Sequence, residues 1–340
     1  MADLKTMLKP TGAMPQKTSF TWPLIIIAIA CMAPFFVSDY RTLQLTQMLV
    51  YAIAILGLNM LTGYNGQISL GHGAFYAIGA YTTAVLMDKF GVPYWATLPI
   101  AGVLCLGFGF LFGLPALRLE GHYLALATFA LAVSVPQLLK YKRIEHWTGG
   151  VQGINILKPD APFTLLGREI SGDQWLYFFT LFVTIVLFLV AYNILRGRIG
   201  RALVAIRDQP IAAEAMGINN ALYKSITFGV SAMYTGIAGA LGAIVVQFVA
   251  PDSFAPLLSI LFLVGVVIGG LATLSGAIYG AAFVQFAPNI AESVGGVPPQ
   301  IVFGLFLIAF MYIMPMGVAW FVSGVKQRLL RRRPNQAGQR

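Results

Sequence analysis

Apolar runs close to the ~20 residues needed to cross a bilayer recur along this whole chain. Ten can be marked, at Trp22–Val37, Leu43–Leu61, Leu70–Met87, Ala96–Leu117, Tyr123–Leu139, Trp175–Leu195, Ser225–Val249, Pro256–Thr273, Gly276–Ile290 and Ile301–Val322. Each is continuously apolar, whereas the strands of a membrane barrel alternate apolar and polar positions over ~10 residues. Only 10% of the chain is charged, against about 25% in a soluble domain, so there is too little charge to cover a water-facing surface. The expectation is an all-α, polytopic integral membrane protein with about ten transmembrane helices.

The net charge of +10 would suit nucleic acid, but its placement points to the membrane. With ten spans and both ends on one side, that side holds 15 of the 22 Lys and Arg and only four acids, Asp3, Glu120, Asp208 and Glu214. Basic loops stay cytoplasmic, so both termini are expected inside. Residues 1–21 then form a cytoplasmic N-terminal segment, 22–322 the membrane domain, and 323–340 a basic cytoplasmic tail that rests on the lipid surface. The first span also resembles a signal peptide. It is read as retained, because its removal would break the parity of the remaining spans. Two segments between spans stand out: an outside loop, 140–174, and an inside loop, 196–224.

Several motifs carry no chemistry. "GQISLGHG" has the glycine frame of a phosphate-binding loop, yet His72 and Gly73 stand where that loop needs Lys and Ser or Thr. His72, His122 and His146 are far apart and lack partners at ligand spacing, so no metal site is expected. Cys31 and Cys105 lie inside apolar spans and imply no disulfide framework. No Asp, Glu, Lys or Arg sits near the middle of a span. A proton-driven carrier generally needs such an intramembrane group. No catalytic residue and no cofactor is expected; energy for pumping comes from elsewhere, or the protein is a passive pore.

Two stretches invite a functional reading. The first, "GLNMLTGYNGQISLGHGAFYAIGAY", interrupts an apolar region with glycines and with Asn65, Gln67, Ser69 and His72. Polar groups at membrane depth must be satisfied by protein or face water. Thr62–His72 therefore reads either as a broken or re-entrant helix along a translocation path, with Asn65, Gly66, Gln67, Ser69, Gly71 and His72 as its candidates, or as a tight inside turn between two spans. "GGLATLSGAIYGAAF" at 269–283 echoes it, and Gly-interrupted spans in corresponding places of two halves point to a transport pathway. Small residues four apart, such as Gly109 with Gly113, Gly265 with Gly269 and Gly276 with Gly280, read as close helix packing. The second stretch is "RALVAIRDQPIAAEAMGI" inside. There Asp208 is expected to cap a short helix begun by Gln209 and Pro210, and Gly217 to stop it in a left-handed conformation. That helix either docks into another protein or lies on the lipid through Arg201 and Arg207.

These residues resemble the permeases of ATP-driven importers. Ala212 and Ala213, with Gly217 four residues after the second alanine, are similar to the coupling motif of that class. "GYNGQISLGHGAFYAIGAY" is similar to the signature of the branched-chain amino acid permease family. "LRLEGHYLALATFA" (117–130), "TGGVQGI" (148–154) and "MPMG" (314–317) resemble its LivM branch rather than the LivH sister branch. One departure is Gly73, where the family more often carries alanine. The resemblance implies an inverted-repeat importer architecture in a bacterial or archaeal cytoplasmic (inner) membrane. It implies as partners a second, LivH-like permease subunit, two ATP-binding subunits, and an extracytoplasmic substrate-binding protein. ATP would be hydrolysed on those partners and not here. It also implies an ATPase-coupling helix at Arg207, Asp208, Pro210, Ala212, Ala213, Glu214 and Gly217. Thr148, Gly149, Gly150 and Gly153 would lie in the external loop. The cargo would be branched-chain amino acids or related small polar solutes. The alternative is a passive channel or secondary carrier for a small neutral solute.

Overall fold

In the absence of water, an exposed backbone can satisfy its own polar groups only as helix or closed sheet. In the computed structural model the chain answers that constraint almost wholly with helices. It describes residues 28–116, 119, 121–159, 171–293, 299–313 and 317–322. The N-terminal segment 1–21, the first part of the first expected span, Arg118, Glu120, residues 160–170 of the outside loop, 314–316 of the "MPMG" motif and the tail 323–340 lie outside the described residues.

The long helices are α1 (Asp39–Asn59), α2 (His72–Phe90), α3 (Tyr94–Ala116) and α4 (His122–Leu139). After α4 come a single turn, α5 (Glu145–Thr148), and the long α6 (Gly172–Arg196). The inside loop folds as α7 (Arg198–Asp208) and α8 (Pro210–Ala215). The chain then returns through α9 (Asn220–Val246), α10 (Pro256–Gly269), α11 (Leu274–Ser293) and α12 (Pro299–Ile313). Among the described residues six helical segments are long and apolar enough to cross a membrane: Asp39–Tyr64, Tyr94–Pro115, His122–Leu139, Gly172–Arg196, Asn220–Val246 and Pro251–Gly269. Helices α2, α11 and α12 occupy the places of three further expected spans.

One element departs from the all-helical expectation. Ile154–Asn155 (β1) pairs antiparallel with Phe248–Val249 (β2), in the register Ile154 to Val249 and Asn155 to Phe248. A two-residue ladder leaves no alternating pattern in a sequence, and only its partner at the end of α9 makes it a strand. The ladder fastens the outside loop to that helix end.

The core is built around α1 and α9, whose apolar windows are 72% and 78% buried. The other spans bury some large side chains, such as Phe75 and Phe262, and turn others outward. Val103, Phe108 and Leu111 of α3 and Phe182 and Leu189 of α6 are exposed, as lipid-facing residues are. Inward faces carry small residues, because helices in lipid associate through close backbone packing. At Gly236 in the middle of α9, α2 and α3 meet together. A Cβ at Gly79 of α2 would strike the Gly236 carbonyl, and a Cβ at Gly236 would lie 2.6 Å from that of Cys105 in α3. The four-residue glycine spacings serve the same purpose: Gly265 and Gly269 of α10 oppose Gly280 and Gly276 of α11, backbone against backbone.

This packing has a direct test. Gly79→Ala is expected to destabilise the protein by about 1–3 kcal/mol, the usual cost of overpacking, and so to lower its thermal midpoint in detergent. Gly107→Ala in α3, with no atom within 4 Å of the added methyl, should leave that midpoint unchanged or slightly raised. Equal behaviour of the two variants would show that helix propensity, and not the contact, governs these glycines.

Candidate functional site

The glycine-rich stretch begins where α1 loses its α-helical register. Met60–Tyr64 continues the helix as a π-helical turn, and regular structure stops at Asn65. It resumes at His72, the first residue of α2. Between them Gly66 takes φ +74°, a conformation that glycine adopts without a side-chain clash. The Gln67 amide bonds back to the Leu61 carbonyl at 3.2 Å, and the Thr62 hydroxyl donates to the Gln67 carbonyl at 3.1 Å. The break is thus a compact reversal that closes on its own helix end.

Residues of other helices hold the far end of the break. The Leu70 amide donates to Thr128 Oγ1 of α4 at 2.9 Å. At the start of α2, where helical amides lack internal partners, the Gly73 amide donates to Ser259 Oγ of α10 at 2.8 Å. His72 is fully buried and sits between two hydroxyls, with Ser69 Oγ 3.0 Å from Nδ1 and Ser231 Oγ 2.7 Å from Nε2. Ser231 gives its proton to the Gly57 carbonyl at 2.6 Å, so it accepts from His72 Nε2–H. A neutral imidazole has one donor and one acceptor, which makes Nδ1 the acceptor of the Ser69 proton. One chain of directed hydrogen bonds therefore runs from the break through α9 to α1.

The echo of this stretch proves to be its physical neighbour. Between α10 and α11, Gly270 takes φ +119° and Ala272 φ +57°. Asn59, at the end of α1, clamps that turn. Its Oδ1 accepts from the Ala272 amide at 2.9 Å and its Nδ2 donates to the Thr273 carbonyl at 2.8 Å. Gly63 lies directly beneath, where a Cβ would strike Asn59 Oδ1 and the Ala272 amide. Gly317 abuts Gly270, with 2.5 Å between a built Cβ and the Gly270 Cα.

Among the candidate path residues, Asn65, Gln67, Ser69 and His72 are all buried. Their polar atoms differ in state. Ser69 and His72 bond to each other and to Ser231, whereas both polar atoms of Asn65 and the Gln67 Oε1 have no hydrogen-bond partner among the described residues. Gly71 packs on the Thr128 carbonyl, 2.8 Å from a built Cβ.

The inside loop forms a helical hairpin. Arg198–Asp208 is amphipathic, with Leu203 and Ile206 buried. Asp208 does not cap the following helix, contrary to the sequence expectation. The N-cap is Gln209, without a side-chain bond, and Asp208 Oδ1 instead accepts from Arg207 Nε at 2.9 Å. The reason is that α7 continues through Asp208, which turns its carboxylate back toward its neighbour. The C-terminal stop is as expected: Gly217 takes φ +84°, and the Ile218 amide closes on the Ala213 carbonyl at 3.1 Å. Within α8, Ala213 is buried against the chain's own helices, while Pro210, Ala212 and Glu214 are exposed. Ile211 and Met216, unmarked in the sequence reading, present apolar side chains that are 84% and 83% exposed. Arg207 turns inward to the break, and its Nη1 donates to the Gly63 carbonyl at 2.9 Å.

In the outside loop, Thr148 Oγ1 donates to the Leu139 carbonyl at 2.8 Å. Gly149, Gly150 and Gly153 all take positive φ. Gly153 lies so close to the Val249 carbonyl that a Cβ there would collide with it. The motif is therefore the turn that delivers β1 to β2.

Asn59, Thr128, Ser231 and Ser259 were missed in the sequence. Each is a small polar residue in an apolar span, which signals that a partner exists but not which one.

Residues 41–315 match a family model described as branched-chain amino acid transport system / permease component. The chain is 35% identical over 286 residues to the high-affinity branched-chain amino acid transport system permease protein LivM of Salmonella typhimurium. It is 35% identical over 282 residues to the protein of the same description in Escherichia coli. Each match covers 77% of this chain but 65% of the relative, so the chain spans about 65% of the length of these two proteins. A probable branched-chain amino acid transport permease protein LivH of Methanocaldococcus jannaschii is 23% identical over 289 residues, covering 82% of this chain and 89% of that protein. No solved structure matches.

The Asn59 clamp yields a stability prediction. Asn59→Leu leaves the Ala272 amide and the Thr273 carbonyl without these partners, and each buried unsatisfied group costs about 1–3 kcal/mol. A marked drop in thermal midpoint is expected, larger than for Gln285→Leu, whose amide bonds the Gln47 side chain at 3.2 Å. An unchanged midpoint for Asn59→Leu would show that the two turns hold together without the clamp.

Proposed function

The chain belongs to the family of branched-chain amino acid transport permease components, and on that footing we propose that it is the membrane permease subunit of an ATP-driven importer. Its cargo is branched-chain amino acids or related small polar solutes. The observation that carries this reading is the exposed hairpin at Pro210–Ala215, which presents Ile211 and Met216 to a partner at the base of the membrane helices. Two uncovered apolar side chains flanking a buried alanine suit insertion into a groove on an ATP-binding subunit. Pro210, Ala212, Ala213 and Glu214 belong to that helix and Gly217 stops it, while Arg207 and Asp208 end the helix before it. Ala213 holds it to the chain, and Ile211 and Met216 make the contact.

The importer has a second, LivH-like permease, two ATP-binding subunits and an extracytoplasmic binding protein. About ten spans in an inverted-repeat arrangement cross the cytoplasmic membrane, with both termini inside. The break at 62–71 meets its echo at 270–273 through Asn59 and Gly63. The path runs along Asn65, Gly66, Gln67, Ser69, Gly71 and His72. Within it Asn65 and Gln67 hold buried polar atoms without partners among the described residues, free to bond a solute that reaches them, while Ser69 and His72 hold the break in shape. Thr148, Gly149, Gly150 and Gly153 shape the external loop near the binding protein.

The docking face predicts a split between variants. Ile211→Glu and Met216→Glu should leave membrane insertion intact while abolishing co-purification of the ATP-binding subunits and ATP-dependent uptake. Normal co-purification by both would remove the helix from the docking role. Orientation has its own measurement. A single cysteine at the exposed Gln152, in a background lacking Cys31 and Cys105, is expected to react with an impermeant thiol reagent added outside intact cells. Reaction only from the inner face would invert the proposed topology.

A further inference from the structure

Three contacts converge on one side chain that joins the inside hairpin to the paired breaks. Arg207 ends α7, directly before the turn into α8. Its Nε and Nη2 both bond Asp208 Oδ1 at 2.9 Å, and its Nη1 donates to the Gly63 carbonyl at 2.9 Å. The planar guanidinium is thereby forked between its own helix end and the π-helical end of α1, a geometry that a lysine ammonium does not reproduce. Its stem runs along Gly66, where a built Cβ would lie 2.9 Å from Arg207 Cγ. Gly63 in turn is pressed against Asn59 and the Ala272 backbone. An unbroken series of contacts therefore leads from Asp208 through Arg207 to Gly63, and from there to the second break.

We propose that Arg207 is a positioning residue of transport, a strut that transmits displacement of the Pro210–Ala215 helix to the paired breaks at 62–71 and 270–273. This rests on the reading of that helix as the docking site for an ATP-binding subunit. Besides its positive φ, Gly66 leaves room for the arginine stem, which a Cβ there would press upon. It also gives Arg207 a partner inside the fold in place of lipid headgroups. Rigid contact suits the task, because packed interfaces pass small shifts between discrete arrangements without absorbing them.

The test uses the assembled importer in vesicles, reading subunit co-purification, ATP hydrolysis and solute imported per ATP. Arg207→Lys keeps the positive charge at the membrane surface but loses the fork. It is expected to assemble and hydrolyse ATP like the parent while import per ATP falls about tenfold, within the usual range of coupling between sites. Gly66→Ala, which disturbs the strut from its other side, should lower import per ATP in the same sense. The double variant should be no worse than the more affected single one, since residues acting through one contact are non-additive. Parental coupling in Arg207→Lys would identify a headgroup anchor and overturn the strut, as would effects that simply multiply or a loss of subunit assembly. Ile211→Glu run in parallel keeps the premises apart. Its failure to disturb assembly would remove the docking reading, whereas the strut alone falls if Ile211→Glu detaches the subunits and Arg207→Lys couples normally.

Discussion

Lipid offers no hydrogen bond to a backbone amide or carbonyl, so where this chain leaves the helix between packed spans, other helices supply the partner. The glycine-rich break after α1 meets that requirement from several directions. Thr128, Ser231 and Ser259 reach in from α4, α9 and α10, and Asn59 of α1 satisfies the opposing break. Each of these side chains is small, since a larger one would hold the helices apart. The close backbone contacts at Gly79 and Gly236, and between α10 and α11, place these short side chains within reach.

The same economy of size explains how a chain with so few charges keeps a defined interior. Large apolar side chains specify little against lipid, which is as apolar as they are. Specificity here comes from glycine contacts that tolerate one registry and from polar pairs that would be left unsatisfied in another. His72 illustrates the point. Its two nitrogens are given opposite roles by Ser69 and Ser231, and the direction of the whole chain follows from Ser231 donating to the Gly57 carbonyl.

At a few places this satisfaction is incomplete or crosses between elements. Within the break, Asn65 and Gln67 retain buried polar atoms without partners among the described residues. Arg207 leaves the inside hairpin to bond a carbonyl of that break. Ile211 and Met216 stand uncovered on the hairpin.

By itself the sequence determined that the chain is a bundle of membrane helices, because continuous apolar runs near bilayer length have few other solutions. It also determined where the helices are interrupted, since Gly63 to Gly73 and 269–276 carry their own punctuation, and where the short inside helix stops, since Gly217 supplies its left-handed turn. The tertiary structure alone decided what those features touch. That the two interruptions meet through Asn59, that Ser231 and not another hydroxyl receives His72, and that Ala213 faces inward while Ile211 faces out depend on contacts between residues far apart in the chain. So does the failed cap at Asp208, whose carboxylate found Arg207 once α7 ran one turn position further. Local sequence encodes where a backbone bends and which groups need a partner; which partner arrives is set by how the helices pack.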